Sequence, residues 1–305
     1  MENLEKDYQK FLSELTYSFE YHNIDYIGIS LDMHTDPFCR FKIYWSDHCS
    51  VDKDHWITEW LKEGKMAQYI ETVEHSGRTG RYQTDIRLQR RTDENMEKLF
   101  TVLKERECIF SENESLIRKI SGIPITSMSG YQYASLYFLG MIFQEKEQCE
   151  MLKLHWINRL CKDTDRLYGD IDYDDAHFLN YLRGLGTTPY QKLADLAETT
   201  IRQCWCHLWM TGLDLAEGGW KKYKIYIKYP KDIYNALGKC FSREEDDCRV
   251  MTEKAQILEK WIQMHPELEL DGAAFCTDTN GQNSVNLYYG IQESYFENGR
   301  TSYMD

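Results

Sequence analysis

Zinc has no foothold in this sequence. Its nine histidines include no H-x-x-x-H or H-E-x-x-H pair and its ten cysteines no C-x-x-C spacing, so no protein metal site is expected. With only Cys204 and Cys206 close together, a small disulfide scaffold is excluded as well; reduced thiols in the cytoplasm are the plain expectation. Positive charge is short: 36 Lys and Arg face 50 Asp and Glu, a net −14, which argues against a nucleic acid held by a basic surface. The least charged run, Ser127 to Gln144, holds Ser, Gln and Tyr in its first half and is no membrane span. The first residues, MENLEKDYQK, are charged where a secretory leader is apolar. Proline is scarce, five in all, so no proline-rich linker divides the chain, and residues 1–305 are expected to form one domain and a monomer.

What is abundant is apolar and aromatic material, 42% and 14% of the residues, ample for a large core. Leu4, Tyr8, Phe11, Leu12, Leu15 and Phe19 form a stripe at helical spacing. A second helix is expected from a Ser50 cap through Trp56, Ile57, Trp60 and Leu61 to a stop at Gly64. Similar stripes recur around Leu99, Leu193 and Leu258. Between them lie five segments with strand periodicity and a central turn, residues 26–45, 68–90, 134–157, 206–228 and 270–290.

These segments repeat. Four open with a glycine in a strand: YIGISLD at 26, FLGMIFQ at 138, MTGLDLA at 210 and LDGAAFC at 270. Four close alike: RFKIYW at 40, MLKLHWI at 151, KYKIYIK at 222 and SVNLYYG at 284. The glycine stands 12 to 14 residues ahead of the Lys or Asn of the closing strand each time, a spacing too even for chance. The second segment lacks the glycine, but its TDIRLQ strand places Arg87 at the lysine position.

Side chains alternate faces along a strand. One face of the closing strands is apolar in all five, with Phe41, Ile43, Ile86, Leu152, Leu154, Ile225, Val285 and Leu287 among its members. The other carries Arg40, Lys42, Tyr44, Asp85, Arg87, Lys153, His155, Lys224, Tyr226, Asn286 and Tyr288. If ten antiparallel strands close into a barrel with helices on the apolar side, the cations and phenols converge inside. Lysine and arginine point charges with tyrosine hydroxyls suit the oxygens of a diphosphate leaving group. Tyrosine π-faces beside them suit an allylic carbocation.

On these hairpins, above all GLDLAEGGWKKYKIYIKYP at 212, LKLHWI at 152 and NSVNLYYG at 283, the sequence resembles the ABBA-type aromatic prenyltransferases. It looks closest to the bacterial cyanobactin-type peptide prenyltransferases and more remotely like the dimethylallyltryptophan synthases. The resemblance implies an α+β fold, a ten-stranded antiparallel barrel wrapped by helices in ααββ repeats. It implies transfer of a dimethylallyl or geranyl group from its diphosphate to an indole, a phenol or another nucleophilic side chain, free or within a peptide. Carried over by position, the diphosphate cations fall on Arg40, Lys153 and Lys224 with Lys42 and Arg87 beside them, and the carbocation shield on Tyr44, Tyr226 and Tyr288 with His155 in place of a further tyrosine. Mg2+ can assist with the diphosphate, though the repeated cations can do without it.

Where many members of that family carry a Glu in the first barrel strand, this chain reads YIGISLD, so the acid falls to Asp32 or Asp214, both at the inward parity. The alternative to an enzyme is a helix-wrapped barrel that binds an anionic or isoprenoid ligand without turning it over. Asp170, Asp172, Asp174 and Asp175 resemble an aspartate-rich magnesium motif but precede a helix, where capping explains them.

Overall fold

In a computed structural model, the structure describes residues 2–13, 24–32, 39–45, 56–75, 81–88, 93–109, 113, 132–144, 148–161, 175–184, 186, 188–228, 230–241 and 245–291. Five hairpins account for all the strands described. They are β1 (Ile24–Asp32) with β2 (Cys39–Trp45), β3 (Ala67–His75) with β4 (Arg81–Leu88), β5 (Gln132–Gln144) with β6 (Gln148–Cys161), β7 (His207–Ala216) with β8 (Gly219–Lys228), and β9 (Leu268–Asp278) with β10 (Asn283–Ile291). All the ladders are antiparallel, and β1 bonds to both β2 and β10, so the sheet returns on itself as a barrel. Among the described residues, β2 pairs with β3 from Lys42–His75 to Trp45–Thr72.

Seven helices lie among the described residues: α1 (Glu2–Ser13), α2 (Trp56–Glu63), α3 (Asp93–Glu105), α4 (Asp175–Gly184), α5 (Thr188–Cys204), α6 (Ile233–Phe241) and α7 (Glu245–Ile262). Each buries one stripe: Leu4, Tyr8 and Phe11 in α1, Tyr190, Leu193, Ala194 and Ala197 in α5, Met251, Ala255, Leu258 and Trp261 in α7. These stripes meet the apolar face of the closing strands in one continuous core that includes Phe41, Ile86, Leu154, Ile225 and Leu287. Tyr8 packs 5.1 Å from both Phe41 and Trp261, and Tyr190 lies 4.4 Å from Tyr223. An α+β chain with helices around a curled antiparallel sheet is the class expected from the repeats.

The second helix ends at Glu63, so Gly64 is where it stops; the residue that takes the left-handed conformation is Lys65 (φ 52), while Met66 N–H bonds the Leu61 carbonyl. The Ser50 cap lies outside the described residues. The Asp175 carboxylate accepts the Leu208 N–H at 2.9 Å and lies 3.3 Å from His207 Nδ1, tying the start of α4 to β7. Asp170, Asp172 and Asp174 lie outside the described residues.

Candidate active site

The glycine repeat has a steric cause. In register, Gly28 faces Lys42, Gly140 faces Lys153 and Gly212 faces Lys224. A Cβ on Gly140 would fall 2.4 Å from Asp85 Oδ1 and 3.1 Å from Lys153 Cβ, and one on Gly212 would fall 2.7 Å from His155 Cδ2. Three of the four glycines thus leave room on the inner face for a lysine or its neighbours to cross the lumen. The fourth breaks the pattern: Gly272 pairs with Tyr288 and with Lys228, not with Asn286.

The lysines gather with acids in the middle of the lumen. Lys153 and Lys224 are 7% and 6% exposed. Lys224 Nζ bonds Asp214 Oδ1 at 2.5 Å, and Lys153 Nζ donates to Gln83 Oε1 at 2.6 Å. Gln83 in turn donates to both oxygens of Asp85 at 2.9 Å. Burial, then the fields of Lys153, Lys224 and Lys222, hold the Lys42 ammonium well below its usual range. Burial pushes Asp85 up, and the lysines only partly offset it. For Asp214 burial also pushes up, but Lys224 and Lys153 outweigh it and the carboxyl sits below its ordinary value.

Two residues along the same strands, on the same face, sits a layer of rings. Tyr44 follows Lys42, His155 follows Lys153 and Tyr226 follows Lys224, a step of about 7 Å along each strand. Tyr288 joins them, 5.9 Å from Tyr44 and stacked 6.1 Å from Tyr226. His155 Nε2 lies 2.9 Å from the Tyr226 hydroxyl, with Phe138 edge-on at 6.4 Å and Arg87 over the Phe138 ring. Burial, then neighbouring groups, raises Tyr226 and Tyr288 above the usual phenol range, so both are neutral phenols. Burial first, then Lys224, lowers His155 to about 3, so it is a neutral imidazole at ordinary pH.

Above this layer opens a cavity of about 130 Å³, lined by Tyr26, Tyr44, Asp85, Arg87, Phe138, His155, Trp209, Met210, Tyr226, Lys228, Asp271 and Tyr288. Lys228 is ion-paired with Asp271 and stands 4.2 Å over the Trp209 ring.

The inner residues expected from sequence therefore divide. Tyr44, Arg87, His155, Tyr226 and Tyr288 line the cavity, while Lys42, Lys153, Lys224 and Asp214 lie beneath it. Arg40 shares their parity but is exposed, near the far end of β2 opposite Ser30, and does not join the buried cations. Asp32 ends β1 opposite Ser284 with its side chain outside the described set. Asp214, expected as a free acid, is instead the partner of Lys224.

The rim residues Trp209 and Asp271 were not singled out from sequence. Each sits at a bulge, where strict alternation fails: the β7–β8 register shifts between Leu208 and Met210, and the β9–β10 register skips Asp271. Asp85 shares the inward face with Arg87, as alternation predicts, but a lone acid among cations carries no sign of its role.

Among the described residues no three His, Cys, Asp or Glu side chains converge as a metal site. Asp85 and Asp214 are each held by a neighbour's donor, so they do not fit Mg2+ as ready ligands, and no step below is routed through it.

No protein-family model matches the chain, and no curated protein does. Solved structures do. AnaPT from Neosartorya fischeri superimposes with a TM-score of 0.58 at 12% identity, over 92% of this chain and 81% of that one. The NotF prenyltransferase gives 0.56 at 9% identity, over 88% and 81%. A 5-dimethylallyltryptophan synthase from Streptomyces coelicolor gives 0.50 at 9% identity, over 93% and 90%. At these identities the likeness is one of fold. It runs to fungal and Streptomyces proteins, not specifically to the cyanobactin-type branch that the strand motifs suggested.

Proposed function

We propose that this barrel transfers a prenyl group from a prenyl diphosphate to an aromatic acceptor. The observation that carries the reading is the two-layer lumen: buried Lys153 and Lys224 with half-buried Lys42, and over them Tyr44, Tyr226 and Tyr288 on or beside the same strands. Sharing its fold with a prenyltransferase and a dimethylallyltryptophan synthase supports the reading.

The diphosphate of a dimethylallyl or geranyl donor sits on the lysine layer. Its negative charge grows as the allylic C–O bond breaks, and lysines already fixed in a low-dielectric interior stabilise that growth without reorganising. The departing prenyl cation faces the rings, whose neutral π-faces attract it and exclude water. An indole or phenol held under Trp209 and Tyr26 attacks its C1. A peptide-borne acceptor is the finer possibility, since Trp209, Lys228 and Asp271 are only partly buried at the rim. Arg40, exposed, is left out of the donor site.

Incubation with dimethylallyl or geranyl diphosphate and a panel of tryptophan, tyrosine and peptides containing them tests this. Release of diphosphate with a mass gain of one prenyl unit on an acceptor is expected. Tight binding of the diphosphate with no release of product from any acceptor or from water would make the barrel a binding protein instead.

A further inference from the structure

Among the described residues, the acids in or just beneath the cavity are already engaged. Asp85 accepts from Gln83 with both oxygens, Asp214 holds Lys224, and Asp271 holds Lys228. One basic atom among the described cavity residues is left over. His155 lines the cavity at 6% exposure with Nε2 on Tyr226, while its Nδ1 is buried and has no hydrogen-bond partner. A buried ring nitrogen without a partner is a cost to the fold, one that calls for an explanation. Its strand neighbour two positions back is Lys153, and in the matching hairpin Lys224 is followed two positions on by a tyrosine; the histidine thus departs from the repeat where the shield stands.

We propose that His155 is the proton acceptor of the transfer reaction, with Tyr226 fixing its ring; this rests on the prenyl-transfer reading above. With the Nε2 hydrogen donated to the Tyr226 oxygen, Nδ1 carries a free lone pair. The allylic C–O bond breaks and its electron pair leaves with the diphosphate. A ring carbon of the acceptor forms the new C–C bond to the prenyl C1. The C–H bond at that ring carbon then breaks, its electrons restoring the aromatic ring, and the proton goes to Nδ1; for attack by nitrogen or oxygen it is the N–H or O–H bond that breaks.

The charges facing His155 are Lys153 on its own strand, Asp214 on β7, Lys224 and the Tyr226 hydroxyl on β8, with Asp85 and Arg87 on β4 beyond Phe138. In the free protein the two lysines help to keep the imidazole from protonating. A bound diphosphate neutralises those lysines, so donor binding raises the basicity of His155 when a base is needed.

The test is His155→Tyr, which restores the Lys-x-Tyr pattern, beside His155→Gln. Loss of the proton acceptor leaves donor ionisation in place. Both variants are expected to lower acceptor prenylation at least tenfold, to divert the donor to prenyl alcohol and diphosphate, and to show a primary isotope effect with ring-deuterated acceptor that the wild type lacks. The acid limb of the wild-type kcat profile should vanish in both. A His155→Tyr protein that prenylates as fast as wild type, with the same partition and pH profile, overturns the assignment alone. A wild type that turns over no prenyl diphosphate overturns the functional reading and this inference together.

Discussion

The two layers of the lumen are built from the same strands and differ in how they are satisfied. In the lower, Lys224 and Lys153 each have a partner from the protein, Asp214 or Gln83, at 2.5–2.6 Å. The upper layer is held by ring contacts, a bond between Tyr226 and His155 and bonds of Tyr288 with Tyr226 and Tyr44, and it still retains an open nitrogen. Buried charge is stable only when paired, whereas rings can wait unpartnered beside a cavity. Binding strength is thus stored in the layer that is complete, and chemistry in the one that is not.

Breaking the lower layer has the largest effect. Lys153→Met removes a cation that donates to Gln83 and acts on Asp85 and Asp214, and turnover of a prenyl diphosphate should fall about 100-fold or more with the fold retained, as steady-state kinetics and circular dichroism would report. Lys224→Met should lose as much turnover and also roughly 3 kcal/mol of stability, because Asp214 is left buried and unpaired. A variant as stable as wild type in urea titration would remove the difference drawn between the two lysines.

Gly140→Ala attacks both layers through their shared scaffold. Its methyl forces the Asp85 carboxylate to move and crowds Lys153 Cβ, so a loss of about 1–3 kcal/mol and a clear drop in turnover are expected from thermal melting and kinetics. Alanine at Gly281, in an exposed turn at φ 76, costs stability through backbone strain but should leave turnover alone.

In the upper layer, Tyr288→Ala removes a ring from the stack and should cost about tenfold in prenylation, with more prenyl alcohol among the products. Tyr288→Phe keeps the π-face and should lie within about threefold of wild type. Equal loss in both would mean that the hydroxyl, not the ring, matters.

The smallest effect lies outside the lumen. His265 bridges Glu267 and Glu5 between the helices and β9. Burial works against its charge, but the two carboxylates win and raise its pKa above the ordinary 6.5. Its stabilising contribution is therefore complete below pH 6.5 and is lost as pH rises through the elevated folded-state value. Glu267→Gln should narrow the difference in melting temperature between pH 6 and pH 9 by a few degrees and leave turnover unchanged.

The hairpins and their inner faces were legible because alternation and the glycine-to-lysine interval are both local and periodic. Lys42, Lys153 and Lys224 were found by that rule. It failed where the backbone departs from the rule, at the bulges that turn Trp209 and Asp271 toward the rim; Asp85 was placed on the inner face, but not its link through Gln83 to Lys153. Arg40 had the right parity and the wrong height, since parity assigns a face and not a depth. Asp214 was recognised as inward-facing, but its pairing with Lys224 depends on cross-strand register, which one strand alone does not specify.

The pairing of glycines with lysines has a consequence for redesign. An added methyl at Gly28, Gly140 or Gly212 would press on side chains that cross the lumen, whereas at Gly272 it would press on the Ile227 carbonyl of the ladder itself. The cavity can therefore be reshaped one hairpin at a time at three of these positions without unpicking the wall, and not at the fourth.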